Sequence, residues 1–508
     1  MNTWNPILLA FQLWQYIIAR ILAPDPPPPG KRLHRPRIAV IGAGLTGIAA
    51  ASHCVGHGFE TVIFEAGPKE QLGGIWSRVN NTSGLQIHSV MYRFFPTVFW
   101  NKGYPNRKEI VEQVTKVWKQ YNLEPRTVFD TRVEHVKSAG HGQWYINDKS
   151  HGKFDGIIAA IGSCGDPKMP KLPQQEKFKG DIYHSSELDG KDVEGKRVLI
   201  VGGGASAIEA MEFTAESNCK KVTILARSEK WIIPRNPVID MLLALNIFGQ
   251  ETIFSWIPEK LLKLFFYRDL SDIAPPRGSS GLFEETPMVN NKVLEQVRHG
   301  NAEWLRGDIV RVEPDGIRFN RRSQGVPKNG PGRETVEKGD VIIMATGYGR
   351  PSLDFLPSDC FEEPYMPPNW YLQTFPPAHM TICANNCTYV NAIGTVGNFH
   401  IGIYTRILLM FLSDPLTRPT EYWMKKWIDM TRFIKRTSPT GAFEFFTYSE
   451  LIWWFTFCVV INPFRWKWGL WVMTGIGIGL PLAVVEQEDK LLRNGTGKHD
   501  NKEKNGTF

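Results

Sequence analysis

The sequence is poor in cysteine, and its few cysteines form no recognisable framework. Seven cysteines are scattered singly along 508 residues, their number is odd, and no Cys-x-x-Cys pair occurs. Cys383 and Cys387 have no second pair or histidine cluster that would complete a zinc site. We therefore expect reduced thiols in a cytosolic environment and no metal site.

The chain also lacks a nucleic-acid-binding module and a basic stripe interleaved with aromatic residues. Its net charge of +8 suits anionic partners, and phosphate-bearing cofactors or an anionic membrane face explain that charge as well as nucleic acid does. Hydrophobic residues make up 42% and charged residues 22%, the balance of a folded protein with room for two or three domains. We expect no nucleic-acid partner.

The N-terminal end is strongly apolar. The segment "ILLAFQLWQYIIARILA" (residues 7–23) is broken only by two glutamines and Arg20, and a proline spacer with a basic cluster follows it. As a helix it would be about 26 Å long, slightly short of a ~30 Å hydrocarbon core. No small-residue cleavage site follows, which argues against a removed signal peptide. The interfacial aromatics and trailing cations favour a membrane anchor with a cytosolic body, and a helix packed on the protein's own surface is the alternative.

The C-terminal end is equally apolar. The segment "LIWWFTFCVVINPFRWKWGLWVMTGIGIGLPLAVV" (residues 451–485) is interrupted by two cations and broken by glycines and a proline. Tryptophans crowded beside cations are typical of an element that lies in a membrane interface rather than one that spans it. We expect both ends to associate with an endoplasmic reticulum-type membrane, and the polar tail after Val485 to be disordered.

The first chemical motif is a glycine loop between a strand and a helix, in "PRIAVIGAGLTGIAAASHCVGHGFETVIFEAG" (residues 36–67). Gly42 permits a tight turn, Gly44 lets the backbone approach a pyrophosphate, and Gly47 allows close contact between helix and strand. The helix N-terminus, with Thr46 in the same loop, faces the phosphates with its positive end. Glu65, at the end of the next strand, is placed to bind a ribose. We predict a site for FAD or NAD.

A second unit of the same kind follows, in "GKRVLIVGGGASAIEAMEFTAESNCKKVTILARS" (residues 195–228). Its second strand ends on Arg227, where an acid would stand in an NAD site. A guanidinium pairs with a 2′-phosphate that an acid would repel, so this site suits NADP. A solvated surface arginine is the alternative. The predicted contacts are Gly202, Gly204, Ser206, Ala207, Arg227 and Ser228.

Other stretches extend the first unit. "QLGGIW" (71–76) offers a flexible turn at Gly74 and an aromatic, Trp76, to pass beside a flavin. "VFDTRVEHV" (128–136) is predicted to be a strand whose backbone near Val133 flanks an adenine. "FDGIIAAIGS" (154–163) and "GDVIIMATGYGRP" (339–351), the latter containing Gly347, are predicted to be buried strands that cross between domains. The small residues of "NAIGTVGNFHIG" (391–402) are placed to approach the flavin ring.

The fold class is therefore predicted to be α/β, with two nested Rossmann-type domains for FAD and NADP and apolar membrane-associated helices at the termini. The second unit is expected to be inserted into the first. The predicted division is an anchor and linker (1–35), the first part of the FAD domain (36–170), the NADP domain (171–335), the second part of the FAD domain (336–445), and an apolar segment with a polar tail (446–508).

The stretch "FKGDIYHSSEL" (178–188), called the connector below, carries the most specific likeness. With the two glycine loops and "GGIW" it resembles the class B flavoprotein monooxygenases, over roughly residues 36 to 445. That family includes flavin-containing, auxin-pathway and Baeyer–Villiger monooxygenases, and its F-x-G-x-x-x-H fingerprint matches Phe178, Gly180 and His184. The final Leu188 fits neither the Trp of typical Baeyer–Villiger enzymes nor the Tyr common in heteroatom oxygenases. The resemblance implies that the connector holds flavin and NADP in the right relation.

The resemblance also implies a mechanism. NADPH reduces FAD, O₂ adds to the flavin, and a C4a-hydroperoxide transfers one oxygen atom to a hydrophobic small molecule, while retained NADP⁺ excludes water. The cofactor does this chemistry, which fits the lack of a separate acid–base pair or nucleophile in the sequence. His184 and His88 are the predicted catalytic residues, and His88 lies in "LQIHSVMYRFFP", which looks more like the auxin-pathway branch. Fungal enzymes of this type often tailor biosynthetic intermediates.

Two other functions remain open on the sequence. A membrane-attached, quinone-reducing flavin dehydrogenase also uses nested Rossmann units, but its NADH preference predicts an acid near position 226 and it has no need of the connector. A scaffold that has lost its cofactors is opposed by the intact glycine loops. The apolar insert between Arg227 and Thr286 is either an entry path for a hydrophobic substrate or a packing surface.

Overall fold

Short apolar runs that end in a glycine turn recur along the chain, and most of these runs become buried parallel strands. The computed structural model describes residues 6–236, 239, 256–276, 281–282, 287–388, 398–435 and 447–477. Its α-helices are α1 (Pro6–Leu22), α2 (Leu45–Gly56), α3 (Ile75–Arg78), α4 (Arg107–Gln120), α5 (Ala205–Glu216), α6 (Trp256–Leu261), α7 (Lys292–Arg298), α8 (His400–Ser413), α9 (Glu421–Lys435), α10 (Thr447–Trp454) and α11 (Trp466–Thr474). Two π-helical segments are Leu262–Tyr267 and Phe455–Val460.

The strands belong to two large sheets and two small ones. They are β1 (His34–Ile41), β2 (Phe59–Phe64), β3 (Thr127–Val128), β4 (Val136–Gly140), β5 (Gln143–Ile146), β6 (Gly156–Ala159), β7 (Asp181–His184), β8 (Arg197–Val201), β9 (Lys221–Ala226), β10 (Ile232–Ile233), β11 (Met288–Val289), β12 (Ala302–Glu313), β13 (Gly316–Arg321), β14 (Arg333–Lys338), β15 (Val341–Met344) and β16 (Ile382–Ala384).

The first large sheet has five parallel strands in the order β16-β6-β1-β2-β3. The strand β1 has β2 on one side and β6 on the other, so the strand order reverses at β1. Ligands of open parallel sheets bind where the order reverses, at the carboxyl ends of the strands. The loop at residues 42–47 follows β1 and therefore lies at that position.

The second large sheet has the order β14-β13-β12-β9-β8-β15-β7. The strands β12, β9, β8, β15 and β7 are parallel to one another, and β13 and β14 add an antiparallel edge. Here β8 stands between β9 and β15, and the loop at residues 202–207 follows β8. Both glycine loops thus occupy the same topological position, each in its own sheet.

The order of the strands along the chain makes the second sheet an insertion in the first. The first sheet takes β1, β2, β3 and β6 before the second sheet begins, and β16 after it ends. The α/β class with two Rossmann-like parallel sheets is therefore confirmed. The strand β15 lies within the stretch expected to return to the first unit, and it pairs with β7 and β8 of the second sheet.

The N-terminal helix α1 packs one face on the first domain. The Gln15 side chain is fully buried, donates to the Trp100 carbonyl and accepts from the Trp100 backbone N–H, both at 2.8 Å. Packing on the protein's own surface, the alternative to an anchor at the sequence level, thus describes one side of this helix. In the described part of the chain, no helix has both the length and the apolar character needed to cross a membrane.

The C-terminal helices also have polar attachments to the first domain. Glu450 accepts hydrogen bonds from the Trp427 indole at 2.8 Å and the Gln373 amide at 2.9 Å, and all three side chains are buried. The Trp468 indole donates to Asp414 at 2.9 Å. Parts of the expected flavin-facing stretch (391–397) and of the apolar insert (240–255) lie outside the described residues, as do the end of the apolar C-terminal segment (478–485) and the polar tail after it (486–508).

Candidate functional site

The first glycine loop is held by backbone contacts that leave no room for side chains at two of its glycines. Gly42 has a φ of +105°, and a Cβ there would lie 2.7 Å from the Ala160 carbonyl oxygen. A Cβ on Gly47 would lie 1.8 Å from the Gly42 carbonyl oxygen. At Gly44 the nearest atom, the Gly74 Cα, would be 3.6 Å away, an ordinary contact. The fold therefore requires glycine at 42 and 47, whereas at 44 the open space leaves room for a ligand.

Glu65 lies at the carboxyl end of β2, beside this loop. One of its carboxylate oxygens accepts from the Ala43 N–H at 2.6 Å and the other from the Gly67 N–H at 2.8 Å. Each oxygen keeps a second lone pair for another donor. The predicted ribose contact thus stays a prediction, and the carboxylate has a further task, which is to fix the shape of the glycine loop.

The second glycine loop repeats the pattern with more open space. Gly202 has a φ of +130°, and a Cβ there would lie 2.3 Å from the Ala345 carbonyl oxygen. A Cβ on Gly204 would meet no atom within 4 Å. Ala207 is buried in α5, where a small residue lets the helix approach the sheet, and Ser206 lies in the first turn of that helix. The residues present fit a dinucleotide, because the open side of Gly204 is a cradle that a larger side chain would fill.

Arg227 lies at the end of β9, where it was predicted to bind a 2′-phosphate. Its side chain is 65% exposed and 3.5 Å from an Asp308 carboxylate oxygen. The buried Arg322 guanidinium already pairs with Asp308 at 2.7 Å, and it also donates to the Arg227 carbonyl. Since Arg322 compensates the charge of Asp308, the Arg227 guanidinium remains available to an anionic group. Ser228 follows it, partly buried.

The "GGIW" stretch forms a turn and the short helix α3 against the first glycine loop. Gly73 donates its N–H to the Ala43 carbonyl at 3.2 Å, and Gly74 has a φ of +62°. The Trp76 indole donates to the Tyr92 hydroxyl at 2.7 Å. Because the turn at Gly73 is bonded to the first glycine loop, Trp76 lies at the same end of the sheet as that loop. This position is the one that the predicted role of Trp76 beside a flavin requires.

A polar chain that the sequence did not point to reaches the first loop from the far end of the chain. The Asn386 amide donates to the Thr46 hydroxyl at 3.1 Å, and the His400 ring lies 2.5 Å from the Asn386 oxygen. Burial lowers the pKa of His400 to about 3, so this histidine is neutral. Its link with Thr46 joins residues that are more than 300 positions apart, which no local pattern reveals.

The connector contains His184 at the end of β7, and the hydrogen bonds of this histidine fix its tautomer. Its Nδ1 accepts from the Ser186 N–H at 3.2 Å, so the proton is on Nε2, which donates to the Gly347 carbonyl at 3.1 Å. Burial lowers the pKa of His184, which favours this neutral form. The Tyr348 ring meets its edge at a centroid distance of 5.5 Å. His184 thus ties the end of β7 to the crossing that contains Gly347.

The residues directly after the first crossing are hydrogen-bonded to the second crossing. Gly165 donates to the Gly349 carbonyl at 2.8 Å, Gly349 donates to the Asp166 carbonyl at 2.7 Å, and Lys168 donates to the Gly347 carbonyl at 2.9 Å. A Cβ on Gly347, at a φ of +74°, would meet nothing within 4 Å. His184 therefore acts on a paired junction rather than on a single loop.

His88 was predicted to contact the flavin, and its ring is packed mainly by aromatic neighbours. Phe11 of α1 and Tyr104 lie at centroid distances of 6.0 and 5.5 Å, and the Val90 N–H donates to its Nδ1 at 3.3 Å. Burial lowers its pKa, so His88 is neutral at pH 7. These contacts give His88 a packing role, and its catalytic role stays a prediction.

Val133 is buried in a cluster with Phe64 and Val136, which makes its side chain part of the core. Its predicted backbone contact with an adenine stays a prediction.

Among the described residues, Asp359, Cys360 and His379 have potential metal-ligand atoms within 4.8 Å of one another. Asp359 and His379 pair at 2.8 Å, and burial, with the charge of Asp359, raises the pKa of the Cys360 thiol to about 12. A hydrogen bond between Asp359 and His379 beside a protonated thiol accounts for this group.

Comparison with known proteins agrees with this geometry. The family model described as flavin-binding monooxygenase-like matches residues 35–396. The chain is 28% identical over 343 residues to a Baeyer-Villiger monooxygenase of Pseudomonas aeruginosa, covering 61% of this chain and 63% of that protein. It is 26% identical over 346 residues to flavin-containing monooxygenase 1 of Mus musculus, covering 61% and 62%.

A solved structure, an oxidized steroid monooxygenase bound to NADP, has the same fold. It aligns with a TM-score of 0.62 at 18% identity, covering 82% of this chain and 96% of that one. The chain spans a little under two thirds of the length of the curated relatives it matches. Because the family match takes in both glycine loops, the connector and both crossings, this chain belongs to the flavin-binding monooxygenase-like family.

Proposed function

We propose that this chain is an FAD- and NADPH-dependent monooxygenase that inserts one oxygen atom from O₂ into a hydrophobic small molecule. The observation that carries the proposal is the pair of glycine loops, each at the point where the strand order of its sheet reverses, joined by the connector and the paired crossings. One loop suits FAD and the other NADP. Family membership supports the choice of an oxygenase.

The bound flavin supplies the activation of oxygen, so the chain's own residues bind, orient and exclude water. Gly44 and Gly204 leave space for the two pyrophosphates, and Glu65 fixes the first loop. Arg227 offers an exposed guanidinium to a 2′-phosphate. His184, neutral and donating from Nε2 to Gly347, holds the junction between the domains in one arrangement.

The proposal is tested by feeding the purified protein NADPH, ¹⁸O₂ and candidate substrates, and measuring flavin reoxidation, product mass and H₂O₂. We expect one labelled oxygen atom in the product and little H₂O₂ from the wild type. His184→Ala should keep its flavin and consume NADPH, but should release most of the reducing equivalents as H₂O₂, because the junction no longer keeps water out. His135→Ala, at an exposed histidine, is the matched control.

A membrane-attached NAD(P)H:quinone-type reductase is the alternative, and the same assay separates the two. A reductase would pass electrons to quinones, would place no ¹⁸O in any product, and would respond little to His184→Ala. That outcome would replace the oxygenase proposal. The exposed Arg227 at the end of β9, where an NADH-preferring enzyme needs an acid, favours the oxygenase.

The substrate class that we propose is hydrophobic, and a biosynthetic tailoring step is the role that fits it. Support comes from the described part of the apolar insert, where α6 and the π-helical turn after it expose large apolar side chains. Trp256, Leu264 and Phe265 are 57%, 61% and 65% exposed. Exposed apolar surface of this kind marks interaction sites in folded proteins.

We also propose that both ends lie on a membrane surface, of the endoplasmic reticulum type, with the catalytic body on the cytosolic side. The face of α1 that points away from the protein is apolar: Leu9, Leu13, Ile17 and Ile21 are 46–58% exposed. In α11, Trp466 and Leu470 are 62% and 60% exposed. The ends of the two helices meet, since a Cβ on Gly475 would lie 3.4 Å from the Leu22 carbonyl oxygen. Such a surface suits an interfacial element.

A further inference from the structure

One loop of the first domain makes polar contacts with the connector, in addition to the contacts of His184. This loop, residues 80–86, follows α3 and is called the docking loop here. Ser83 donates its N–H to the Asn80 carbonyl at 2.9 Å, and the Arg107 N–H at the start of α4 donates to the Ser83 carbonyl at 2.8 Å. The docking loop is therefore a defined turn that is fixed to a helix of its own domain.

Asn80 uses both ends of its amide on the connector. Its Nδ2 donates to the Ser185 carbonyl at 2.5 Å, and its Oδ1 accepts from the Leu188 N–H at 2.9 Å. Asn80 is 2% exposed and Leu188 is fully buried among core residues of the second domain. An amide that is satisfied on both sides in a buried place specifies one arrangement of the groups around it.

Asn81 and Arg107 extend the contact to Asp189, just past the connector. The Asp189 carboxylate accepts from the Asn81 N–H at 2.9 and 3.1 Å and pairs with Arg107 at 3.3 Å. The same guanidinium donates to the Trp76 carbonyl at 3.1 Å and the Ser77 carbonyl at 2.7 Å. Arg107 thus connects the helix of the predicted flavin contact, Trp76, to the end of the connector.

The docking loop also reaches α5, the helix that starts at the second glycine loop. The Ser83 hydroxyl lies 3.5 Å from a Glu209 carboxylate oxygen, and Gln86 also hydrogen-bonds that carboxylate. Burial, and then the neighbouring Glu212 carboxylate, raise the pKa of Glu209 to about 7. The docking loop therefore contacts two parts of the second domain: the connector, and the helix α5 that follows the second glycine loop.

Taken together, the connector is held at two points. His184 fixes it to the crossing at Gly347, on the second sheet, and Asn80 fixes it to the first domain one residue later in the chain, at Ser185. Without the Asn80 contacts, these hydrogen bonds of the connector would tie it to the second sheet alone. The dinucleotides can react only when their rings meet in one geometry, and an error of 1 Å can cost about 100-fold in rate.

We propose that Asn80 is the positioning residue that sets the placement of the NADP domain relative to the flavin domain. The inference deepens the proposed function and rests on it, since the placement matters for hydride transfer from NADPH to flavin. Asn80 is not proposed to contact the flavin or the nicotinamide ring. It acts through Ser185 and Leu188, and through them on the relation between the two glycine loops.

The experiment compares full-length wild type with Asn80→Ala and Asn80→Asp. An aspartate keeps an acceptor for the Leu188 N–H but places a carboxylate oxygen against the Ser185 carbonyl. Flavin content, the Kd for NADP⁺ by calorimetry, the anaerobic rate of flavin reduction at saturating NADPH, and small-angle scattering are measured. We expect flavin content and NADP⁺ Kd to stay within about twofold, the reduction rate to fall roughly 10- to 100-fold in both variants, and the scattering to report a broader distribution of interdomain distances.

Thr82→Ala is the matched control, at a side chain in the same loop for which we find no interdomain hydrogen bond in the described part of the chain; it should behave as wild type. The proposal is overturned if Asn80→Ala reduces its flavin at the wild-type rate with unchanged scattering. It is also overturned if the rate falls only in proportion to lost flavin or lost NADP⁺ affinity, because that result indicates general damage.

If Asn80→Ala does not fold, Asp189→Asn replaces it, since Asp189 is 39% exposed and its amide keeps the shape of the carboxylate. We then expect the same pattern with a three- to tenfold slower reduction, and an unchanged rate would contradict the proposal. A wild type that holds no flavin, or is not reduced by NADPH, would contradict the proposed function instead. In that case the scattering of the Asn80 variants alone decides whether Asn80 places the domains.

Discussion

At the scale of the single residue, the three glycines of the first loop are glycine for different reasons. Gly42 and Gly47 have backbone oxygens within 2.7 and 1.8 Å of where a Cβ would stand, whereas Gly44 has only the Gly74 Cα at 3.6 Å. We predict that Gly44→Val gives a folded protein without flavin absorbance, because the side chain occupies the space for the pyrophosphate. Circular dichroism and flavin content together check this.

The matched variant for that experiment is Gly47→Ala, which should lose stability as well as flavin, because its methyl group collides with the Gly42 carbonyl oxygen. A Gly44→Val protein with its full flavin content would show that FAD does not bind at this loop. A Gly44→Val protein that fails to fold would show that the open space at Gly44 belongs to the fold and not to a ligand.

Arg227 tests the choice of nicotinamide cofactor. Arg227→Ala should raise the KM for NADPH by roughly 10- to 150-fold, since a hydrogen bond to a charged group contributes about 1.5 to 3 kcal/mol, and should leave the KM for NADH nearly unchanged. Arg333→Ala, at an exposed arginine of β14, is the control. Equal losses with both cofactors would argue against a contact with the 2′-phosphate.

Glu209 makes the stability of the folded protein depend on pH. Burial raises its pKa from 4.5 to about 7, with help from Glu212, while Ser83, Gln86 and the nearby Arg235 favour the charged form. A raised pKa means that its contribution to stability is complete below about pH 4.5 and is lost as the pH rises through about 7. Relative to Glu209→Gln, the wild type should therefore lose on the order of 1 to 3 kcal/mol between pH 4.5 and 8.

The measurement is urea unfolding of the wild type and of Glu209→Gln at several pH values. The difference between their free energies of unfolding is used, so that the contributions of other titrating groups cancel. The difference should change between pH 4.5 and 7 and stay level above pH 8. A difference that is constant over the whole range would mean that Glu209 is ionised like a solvated carboxylate.

At the scale of the element, the two terminal helices decide whether the protein meets a membrane. We predict that full-length protein sediments with vesicles that contain anionic lipid. The double variant Leu13→Glu with Ile17→Glu should bind the vesicles more weakly but should still bind them, because α11 also contacts the lipid. Adding Leu470→Glu should release the protein. Met169→Glu, at a residue 48% exposed on another part of the surface, is the control, and a wild type that stays in the supernatant would contradict the proposal.

The helix α1 also shows what a sequence can and cannot predict about an element. Its composition predicts an apolar helix, and the structure has one, but composition alone cannot tell which side faces the protein. That side is fixed by Gln15, which completes the backbone hydrogen bonds of Trp100, 85 residues away. A polar side chain inside an apolar run was the available signal, and only the tertiary contact gives it meaning.

At the scale of the whole molecule, the two sheets and the insertion of one in the other were predictable because their signals are local. A strand, a glycine loop and a helix follow each other within about 30 residues, and each crossing is a short buried strand ending in glycine. The relation between the domains was not predictable in this way. The contacts of Asn80 with Leu188 span 108 residues and those of His184 with Gly347 span 163. The pattern around His184 marks that residue, but no pattern in the neighbouring sequence names the partner of either residue.

The double attachment of the connector bears on how this architecture can be recombined. A chimera that exchanges only residues between the two crossings would bring a foreign connector to the native docking loop. If the backbone of that connector is displaced, the buried Asn80 amide loses its hydrogen bonds to the carbonyl and N–H groups at positions 185 and 188. The unit to transplant is therefore not one continuous segment of chain. It consists of the inserted domain together with residues 80–86 and Arg107, which lie outside it in sequence and belong to it in function.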